Sequence, residues 1–188
     1  YTHVLQEVIN SLSILGLPAA IGLVMLSKEV ILIIAGKKYL DGILSLQIIT
    51  WSLIFSNYST IFNQCVLIPV KREAKALRNT VITGVVNVGL NFIFIPLWSY
   101  NGTALSTVIA EFMVMFLNGW SARDYVGPIL KSRRTFKSII DSVIGCIGII
   151  VVCMLLKFGI SSLILRTVLS VVLSVVMDGF RKLKEQYD

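Results

Sequence analysis

Residues 80–120 read TVITGVVNVGLNFIFIPLWSYNGTALSTVIAEFMVMFLNGW, and they contain two apolar segments joined by a short connection. The first segment covers about residues 80–95 and ends before Pro96, and the second covers about residues 102–120. A helix needs roughly 20 mostly apolar residues to cross the hydrocarbon core of a bilayer. Neither segment alternates strictly between apolar and polar residues, as a membrane β-strand would. Because the connection is short, this stretch predicts two membrane-spanning helices that pack antiparallel.

Four further apolar segments of similar length surround this pair. The six predicted spans cover about residues 8–26, 44–68, 80–95, 102–120, 138–156 and 160–177. Residues 27–42 place charged side chains around a short apolar run, which predicts an amphipathic helix at the membrane interface rather than a further span. Pro18 predicts a kink in the first span, because its ring lacks an N–H and clashes with the preceding turn. The predicted fold class is an all-α integral membrane protein with six transmembrane helices.

The composition of the whole chain supports a membrane location. Of its 188 residues, 56% are hydrophobic and 14% are charged, and the mean hydropathy is +0.85. Ordinary soluble domains are about 45–50% apolar and about 25% charged. A soluble protein of this length has no interior large enough to bury so much apolar surface, and the same values exclude disorder. The net charge of +7 therefore indicates basic cytoplasmic loops rather than a nucleic-acid interface.

The basic residues indicate how the spans are oriented. Cytoplasmic loops of membrane proteins are enriched in Lys and Arg. The segments after the second, fourth and sixth spans contain 12 of the 17 basic residues: Lys71, Arg72, Lys75, Arg78, Arg123, Lys131, Arg133, Arg134, Lys137, Arg181, Lys182 and Lys184. With six spans, all three segments lie on one side. We therefore expect residues 121–137 to form a basic cytoplasmic loop and residues 178–188 a cytoplasmic tail.

Glu111 is the most costly polar residue within the predicted spans. It lies roughly 13 Å along the fourth span, close to the bilayer midplane, where a charged group costs about 2.5–3.5 kcal/mol. Thr103, Thr107 and Asn118 share its helix face within an arc of about 80°. This polar face suggests a water-filled pathway in which Glu111 binds a cation, a proton or substrate hydroxyls. The alternative is a protonated or hydrogen-bonded carboxyl that ties helices together.

Other polar side chains in the spans are further candidates for the pathway. Asn87 and Asn91 lie four residues apart on the third span, where hydrogen bonds to neighbouring helices are the favoured interpretation. Ser56 and Asn63 lie on one face of the second span. Arg166 in the sixth span is close enough to the outer surface to extend its side chain there, or it binds an anionic headgroup or pyrophosphate.

The sequence contains no motif that is typical of a catalytic or metal-binding site. The chain has one histidine, His3, and it has neither a glycine-rich phosphate loop nor paired carboxylates. Cys65, Cys146 and Cys153 show no metal-ligand spacing and fall in apolar segments, as packing residues do. We therefore expect no enzyme activity, no cofactor and no metal.

Several stretches of the chain resemble one family of membrane proteins, the bacterial polysaccharide flippases of the multidrug/oligosaccharidyl-lipid/polysaccharide exporter superfamily. The resemblance covers about residues 6–125 and is strongest from residue 86 to residue 111. At Ser99–Asn101 the family usually has a glycine. The matching stretches are LGLPAAIGL at 15–23, GKKY at 36–39, KRE at 71–73, VNVGLN at 86–91, IP at 95–96 and NGTALSTVIAE at 101–111.

The resemblance implies a two-lobed, MATE-like exporter fold with six helices in each lobe around a central cavity. Residues 1–120 would be the later helices of the second lobe, and residues 138–177 an additional helix pair. The N-terminal lobe would be missing here, in agreement with a chain that begins at Tyr1 rather than Met.

The function implied by the resemblance is transport. Such proteins flip undecaprenyl-diphosphate-linked oligosaccharide across the bacterial plasma membrane by alternating access, for surface polysaccharide biosynthesis. The implied partners are the bilayer, this lipid-linked oligosaccharide, the N-terminal lobe, and glycan polymerase and glycosyltransferases, but not nucleic acid. The alternatives are a multidrug or small-molecule antiporter of the same superfamily and a membrane-embedded glycan polymerase.

Overall fold

A computed structural model describes residues 2–130 and 132–159, and this part of the chain is helical almost throughout, without a strand. The predicted all-α class is confirmed for these residues. The sixth predicted span, the tail and Arg166 lie outside them. The helices are α1 (Thr2–Met25), α2 (Ser27–Ile34), a 3-10 helix (Lys37–Gly42), α3 (Ile43–Ile61) with a π-helical continuation (Phe62–Leu67), α4 (Glu73–Ser121), α5 (Arg123–Leu130) and α6 (Arg133–Gly159).

Helix α4 folds back on itself at Ser99, whose φ of 50° and ψ of −128° lie outside the helical region. The amide of Asn79 donates a hydrogen bond of 3.0 Å to the side-chain oxygen of Asn118, 39 residues later. In a straight helix these residues would be about 58 Å apart. The predicted antiparallel pair is therefore present, as a first arm (residues 73–98) and a second arm (residues 100–121). The first arm continues past Pro96, which we expected to end it.

The directions of the other helices follow from their side-chain contacts. α1 and α6 run parallel, because Gln6 donates to Thr135 at 3.2 Å and an added Cβ at Gly22 would contact Ile149. α3 runs antiparallel to α1 and parallel to the second arm. Hydrogen bonds join Tyr58 to Ser13 and Gln47 to the backbone oxygen of Val24, both on α1. Two further bonds, Ser59–Asn118 and Ser45–Asn101, join α3 to the second arm.

Four helices within the described residues are long and apolar enough to cross a membrane: His3–Met25, Lys37–Leu67, Glu73–Ser121 and Thr135–Met154. Glu73–Ser121 is the doubled helix α4, so it contains both the third and the fourth predicted spans. Pro18 lies inside α1, which remains helical on both sides of it. α1, both arms of α4 and α6 begin two to seven residues before their predicted spans, whereas α3 with its π-helical continuation nearly coincides with the second predicted span.

The main hydrophobic core lies at the end of the bundle that carries the basic segments. Arg72 donates to the carbonyl oxygen of Ser121 and to the carboxylate of Asp124, both at 3.0 Å, so the two basic segments that follow α3 and α4 are neighbours. Instead of a plain loop, residues 121–137 contain α5 and the start of α6. The core comprises Leu5, Ile9, Ile61, Phe62, Val66, Leu67, Ala76, Ala122, Val126 and Ile129.

The opposite end of the bundle contains α2, the 3-10 helix and the reversal of α4. The hydroxyl of Ser45 donates to the side-chain oxygen of Asn101 at 2.6 Å, and this bond ties the start of α3 to the reversal. A short helix was predicted between the first two spans, and α2 confirms it. Its location at a membrane interface stays a prediction.

Candidate functional site

Two exposed aromatic residues near the ends of the second arm predict how deep each residue would lie in a bilayer. Tyr100 and Trp120 are 54% and 60% exposed. Aromatic side chains of this kind collect at both surfaces of a membrane. The interval between positions 100 and 120 corresponds to about 30 Å of helix, which is the thickness of the hydrocarbon core. Ala110 lies halfway between the two rings along the arm, and we expect the bilayer midplane at this level.

The hydrogen bonds between α3 and the second arm show which residues of the two helices lie at the same level. Ser45 and Ser59 of α3 bond to residues of the second arm that lie 56 and 59 positions later in the chain. Asn57 and Thr60 are thus level with residues near 116 and 119 of the second arm, about 9 and 14 Å from Ala110 along the helix axis, on the side of the basic segments. Through the bond between Ser13 and Tyr58, Ser11 of α1 lies at the level of Thr60.

Polar side chains at this depth are exposed on only some surfaces of the described bundle. Ser11, Asn57 and Thr60 are all exposed. The exposed side chains on the first arm and on α6 at hydrocarbon depth are mostly apolar, for example Val85, Val88, Phe92, Val143, Ile147 and Val151. Polar groups at such depth normally face a bundle interior or a water-filled cavity. The surface shared by α1 and α3 therefore differs from the lipid-facing surfaces.

Glu111 lies on the same side of the pair formed by α3 and the second arm as Ser56. The rings of Phe55 on α3 and Phe112 on the second arm are in edge-to-face contact, with centroids 5.3 Å apart. Ser56 follows Phe55, and Glu111 precedes Phe112. Each step of one residue turns a helix by about 100°, forward from Phe55 to Ser56 and backward from Phe112 to Glu111. Because the two helices run parallel and face each other at the two rings, these opposite turns bring Ser56 and Glu111 to the same side of the pair. We name Ser11, Ser56, Asn57, Thr60 and Glu111 the polar face.

The carboxylate of Glu111 has neither a hydrogen bond nor an ion pair with any residue of the described part of the chain, and its side chain is half-exposed. Thr107, one turn earlier, is also half-exposed, and its hydroxyl donates to the backbone oxygen of Thr103 at 2.9 Å. Thr103 is exposed close to the reversal of α4. These three residues thus leave polar groups at the surface of the second arm. An uncovered carboxylate near the midplane is suited to bind a cation or substrate hydroxyls.

Asn118 is in a different environment from the three residues with which it was grouped. It is 1% exposed, donates to Ser59 at 3.0 Å and accepts from Asn79 at 3.0 Å. Asn79 also donates to Ser121 at 3.2 Å. This buried network joins α3 to both arms, so Asn118 serves helix packing and does not line the polar face.

Asn79 lies just outside the predicted third span and was missed. The signal was present, because Asn79, Thr83, Asn87 and Asn91 recur every four residues on the first arm. Asn91 accepts a hydrogen bond of 2.6 Å from Ser106 on the second arm, which is the interhelical role expected of it. The stripe of polar residues therefore marks the surface that the first arm turns toward the second.

Two of the predicted asparagines have buried side-chain oxygens without a hydrogen bond to a described residue. They are Asn87, on the first arm, and Asn63, in the π-helical segment after α3. By the pairing of the arms, Asn87 lies level with residue 110 and hence near the midplane. π-Helical segments often occur at functional sites. Both oxygens remain available as acceptors.

A groove runs between α1 and α3 along the polar face. The part near the basic segments is lined by Glu7, Ser11, Asn57 and Thr60 together with apolar side chains. The part nearer the midplane is a cavity of about 200 Å³. Its lining is apolar except for Asn57 and Tyr58: Leu12, Gly16, Leu17, Ala19, Ala20, Leu23, Leu53, Ile54, Asn57 and Tyr58.

Comparison of the chain with protein-family models, curated proteins and solved structures finds no match. Among residues 2–130 and 132–159, no group of three or more His, Cys, Asp or Glu side chains is arranged to hold a metal ion. The candidate site is therefore defined by the polar face and the groove alone.

Proposed function

We propose that this chain is part of a polysaccharide flippase. It moves lipid-linked oligosaccharide repeat units across the bacterial plasma membrane by alternating access, as its resemblance to that family implies. In this proposal the polar face forms one wall of the substrate pathway. A second lobe, contributed by a preceding part of the same protein, forms the opposite wall.

The observation that carries this proposal is the exposed polar face at hydrocarbon depth. Ser11, Asn57 and Thr60 would be poorly solvated by lipid chains, and so would the Glu111 carboxylate. Hydroxyls, an amide and a carboxylate are groups that hydrogen-bond to sugar hydroxyls. A wall with these groups lets a glycan pass the hydrocarbon core without losing all its hydrogen bonds.

The six-span topology belongs to the same proposal. The parallel packing of α1 and α6 supports it. Successive spans cross the membrane in opposite directions, so two spans are parallel only when an odd number of spans lies between them. α1 and α6 meet this condition when α4 counts as two spans, because α3 and the two arms then make three spans between them. The basic segments after α3 and α4 lie next to each other, which supports the assignment of that end of the bundle to the cytoplasm. In this proposal the predicted sixth span, which lies outside the described residues, would return the tail to the cytoplasm.

The test is transport by the full-length protein carrying Glu111→Gln. This variant keeps the shape of the side chain and removes its charge. We expect normal insertion and accumulation with a strong loss of glycan export, and of flipping of a fluorescent lipid-linked oligosaccharide in proteoliposomes. Glu73→Gln, an exposed acid at the start of α4, is the matched control and should transport normally.

A second pair of variants tests the polar face itself. Asn57→Leu removes an exposed amide from the proposed pathway and should reduce flipping, whereas Val85→Leu on the apolar surface of the first arm should not. If both variants and Glu111→Gln flip the oligosaccharide at the wild-type rate, the polar face is not the pathway. Transport of cationic dyes in exchange for protons, without flipping, would instead identify the antiporter.

A further inference from the structure

We infer that Arg123 and an exposed aromatic stripe on the second arm together bind one anionic phospholipid. The aromatic stripe consists of Phe112, Phe116 and Trp120. It holds an acyl chain, while the guanidinium group of Arg123 holds the phosphate. This site goes beyond the proposed function, because it lies apart from the polar face and does not depend on transport.

The aromatic stripe lies on a surface of the second arm that no other described helix covers completely. Its three residues recur every four positions, within an arc of about 80°, and are 48%, 56% and 60% exposed. Trp120 lies about 160° around the helix from Asn118, whose side chain bonds to α3 and to the first arm. It also lies about 180° from Glu111. Phe116 and Trp120 therefore face out of the bundle, on the side away from the proposed pathway.

The aromatic stripe has the length of one acyl chain. Along the helix axis, Phe112 lies about 3 Å and Trp120 about 15 Å from the level of Ala110, where we expect the midplane. This interval is close to half the thickness of the hydrocarbon core, which is the depth that one leaflet fills. The rings of Phe116 and Trp120 are stacked, with centroids 6.2 Å apart and planes at 29°. They thus form one continuous apolar surface against which a chain can pack.

Arg123 places a positive charge at the level of the lipid phosphates. It follows Trp120 by three residues, and its Cζ atom is 5.0 Å from the centroid of the Trp120 ring. The headgroup layer extends about 5–8 Å beyond the hydrocarbon core on each side. A cation–π contact of this kind holds the guanidinium group over the ring. The charge therefore stands at the end of the aromatic stripe and within the headgroup layer.

The charges around Arg123 favour an anion. Asp124 is shared by two guanidinium groups, because its Oδ2 atom is 3.0 Å from Nη1 of Arg72 and its Oδ1 atom is 3.8 Å from Nε of Arg123. One carboxylate thus faces two positive charges. Arg123 is the more exposed of the two, and it donates no hydrogen bond to a described residue. Its Nη groups are available to a phosphate, which a guanidinium group binds through two parallel hydrogen bonds.

The two parts of the site select the kind of ligand. A free phosphate would use Arg123 and leave the aromatic stripe empty. A zwitterionic phospholipid would cover the stripe but bring its own cation next to the guanidinium group. An anionic phospholipid satisfies both parts, since its chain covers the rings and its phosphate compensates the remaining positive charge. Basic residues close to a membrane surface attract such lipids.

The experiment measures which phospholipid contacts Trp120 in vesicles that contain the full-length protein. Brominated acyl chains quench tryptophan fluorescence on contact, and subtracting the signal of Trp120→Phe isolates the share of Trp120. Mixtures of phosphatidylglycerol and phosphatidylcholine, with one of the two brominated at a time, give the relative binding constant at this ring. We expect Trp120 to prefer phosphatidylglycerol by about fivefold, as one basic residue at the surface provides.

Two variants with the same loss of charge test the role of Arg123. Arg123→Gln removes the guanidinium group, so both lipids should quench Trp120 equally. Arg78→Gln is the matched control, because Arg78 is exposed at the same end of the bundle and has no cation–π contact with a described residue. This control should keep the preference of about fivefold. Circular dichroism verifies that both variants are folded.

Four results would overturn the inference. An unchanged preference in Arg123→Gln would mean that Arg123 does not hold the phosphate, and equal losses in both variants would mean that the whole basic surface attracts lipid. Absence of quenching by either brominated lipid would show that protein covers the aromatic stripe. Relief of quenching by inorganic phosphate at constant ionic strength would identify a soluble anion as the ligand. Selective loss of the preference in Arg123→Gln would support the inference even in a protein that flips no oligosaccharide.

Discussion

Gly102 controls the closest approach of the two arms of α4, and its substitution tests the hairpin directly. An added Cβ at this position would lie closer than 3.0 Å to the carbonyl group of Phe94, whose backbone atoms cannot rotate away. At Gly89, on the exposed surface of the first arm, an added Cβ meets nothing within 4 Å. Gly102→Ala and Gly89→Ala therefore form a matched pair that differs only in contact with the opposite arm.

The expected changes in the free energy of unfolding have opposite signs. Alanine is a better helix former than glycine by about 0.8–1 kcal/mol, so Gly89→Ala should stabilise the protein by up to about 1 kcal/mol. At Gly102 the same gain is opposed by over-packing, which costs about 1–3 kcal/mol. Separating the arms also stretches the bond between Ser106 and Asn91, and such interhelical bonds contribute about 0.6 kcal/mol. The net effect at Gly102 is a loss of about 0.6–2.8 kcal/mol.

The assay is unfolding of the full-length protein in mixed micelles titrated with sodium dodecyl sulfate and followed by circular dichroism. The difference between the two variants is the quantity to compare, because effects of detergent on the wild type cancel. Should Gly102→Ala prove as stable as Gly89→Ala, the arms do not meet at Phe94, and the reversal of α4 at Ser99 would be refuted.

Three further predictions concern the same hairpin and the topology. In a double-mutant cycle, Asn79→Ala and Asn118→Ala should each destabilise the protein and show a coupling of about 0.6–1.7 kcal/mol, whereas additive losses would mean that the two amides do not interact. Ser99→Gly should raise the free energy of unfolding by about 1 kcal/mol, because the φ of 50° strains any residue with a Cβ, and lower stability would contradict this. Single cysteines that replace Lys75 and Arg133 should react only with a reagent supplied from the cytoplasm, and a cysteine at Ser99 only from outside. Labelling of Ser99 and Arg133 from the same side would exclude six spans.

The helix boundaries show where sequence reasoning stops. Hydropathy located the apolar part of each described helix, and α3 with its π-helical continuation nearly coincides with the predicted second span. The helices nevertheless extend further: α1 begins at Thr2 and α6 at Arg133, although their spans were predicted to begin at residues 8 and 138. Apolar composition reports the part of a helix that lies in hydrocarbon. Backbone hydrogen bonds continue into polar turns beyond it.

The polar residues show what depended on packing. Periodicity correctly placed Thr107, Glu111 and Asn118 on nearly one side of a helix, because each residue turns the helix by about 100°. It did not predict that another part of the chain covers Asn118 and leaves Glu111 uncovered. Asn57 stood out only when its exposure and depth were known.

The sequence by itself determined that the chain has helices long and apolar enough to cross a membrane, and which segments form these long helices. The reason is that hydrocarbon requires each backbone polar group to be paired within its own segment, so about 20 apolar residues suffice to predict a span. Only the tertiary structure decided which side chains meet, where the groove lies and which side chains stay exposed. Membrane helices are apolar on every side, so their hydrophobic pattern does not distinguish a neighbouring helix from lipid. That distinction comes from contacts between residues far apart in the chain, such as Asn79 with Asn118 and Ser13 with Tyr58.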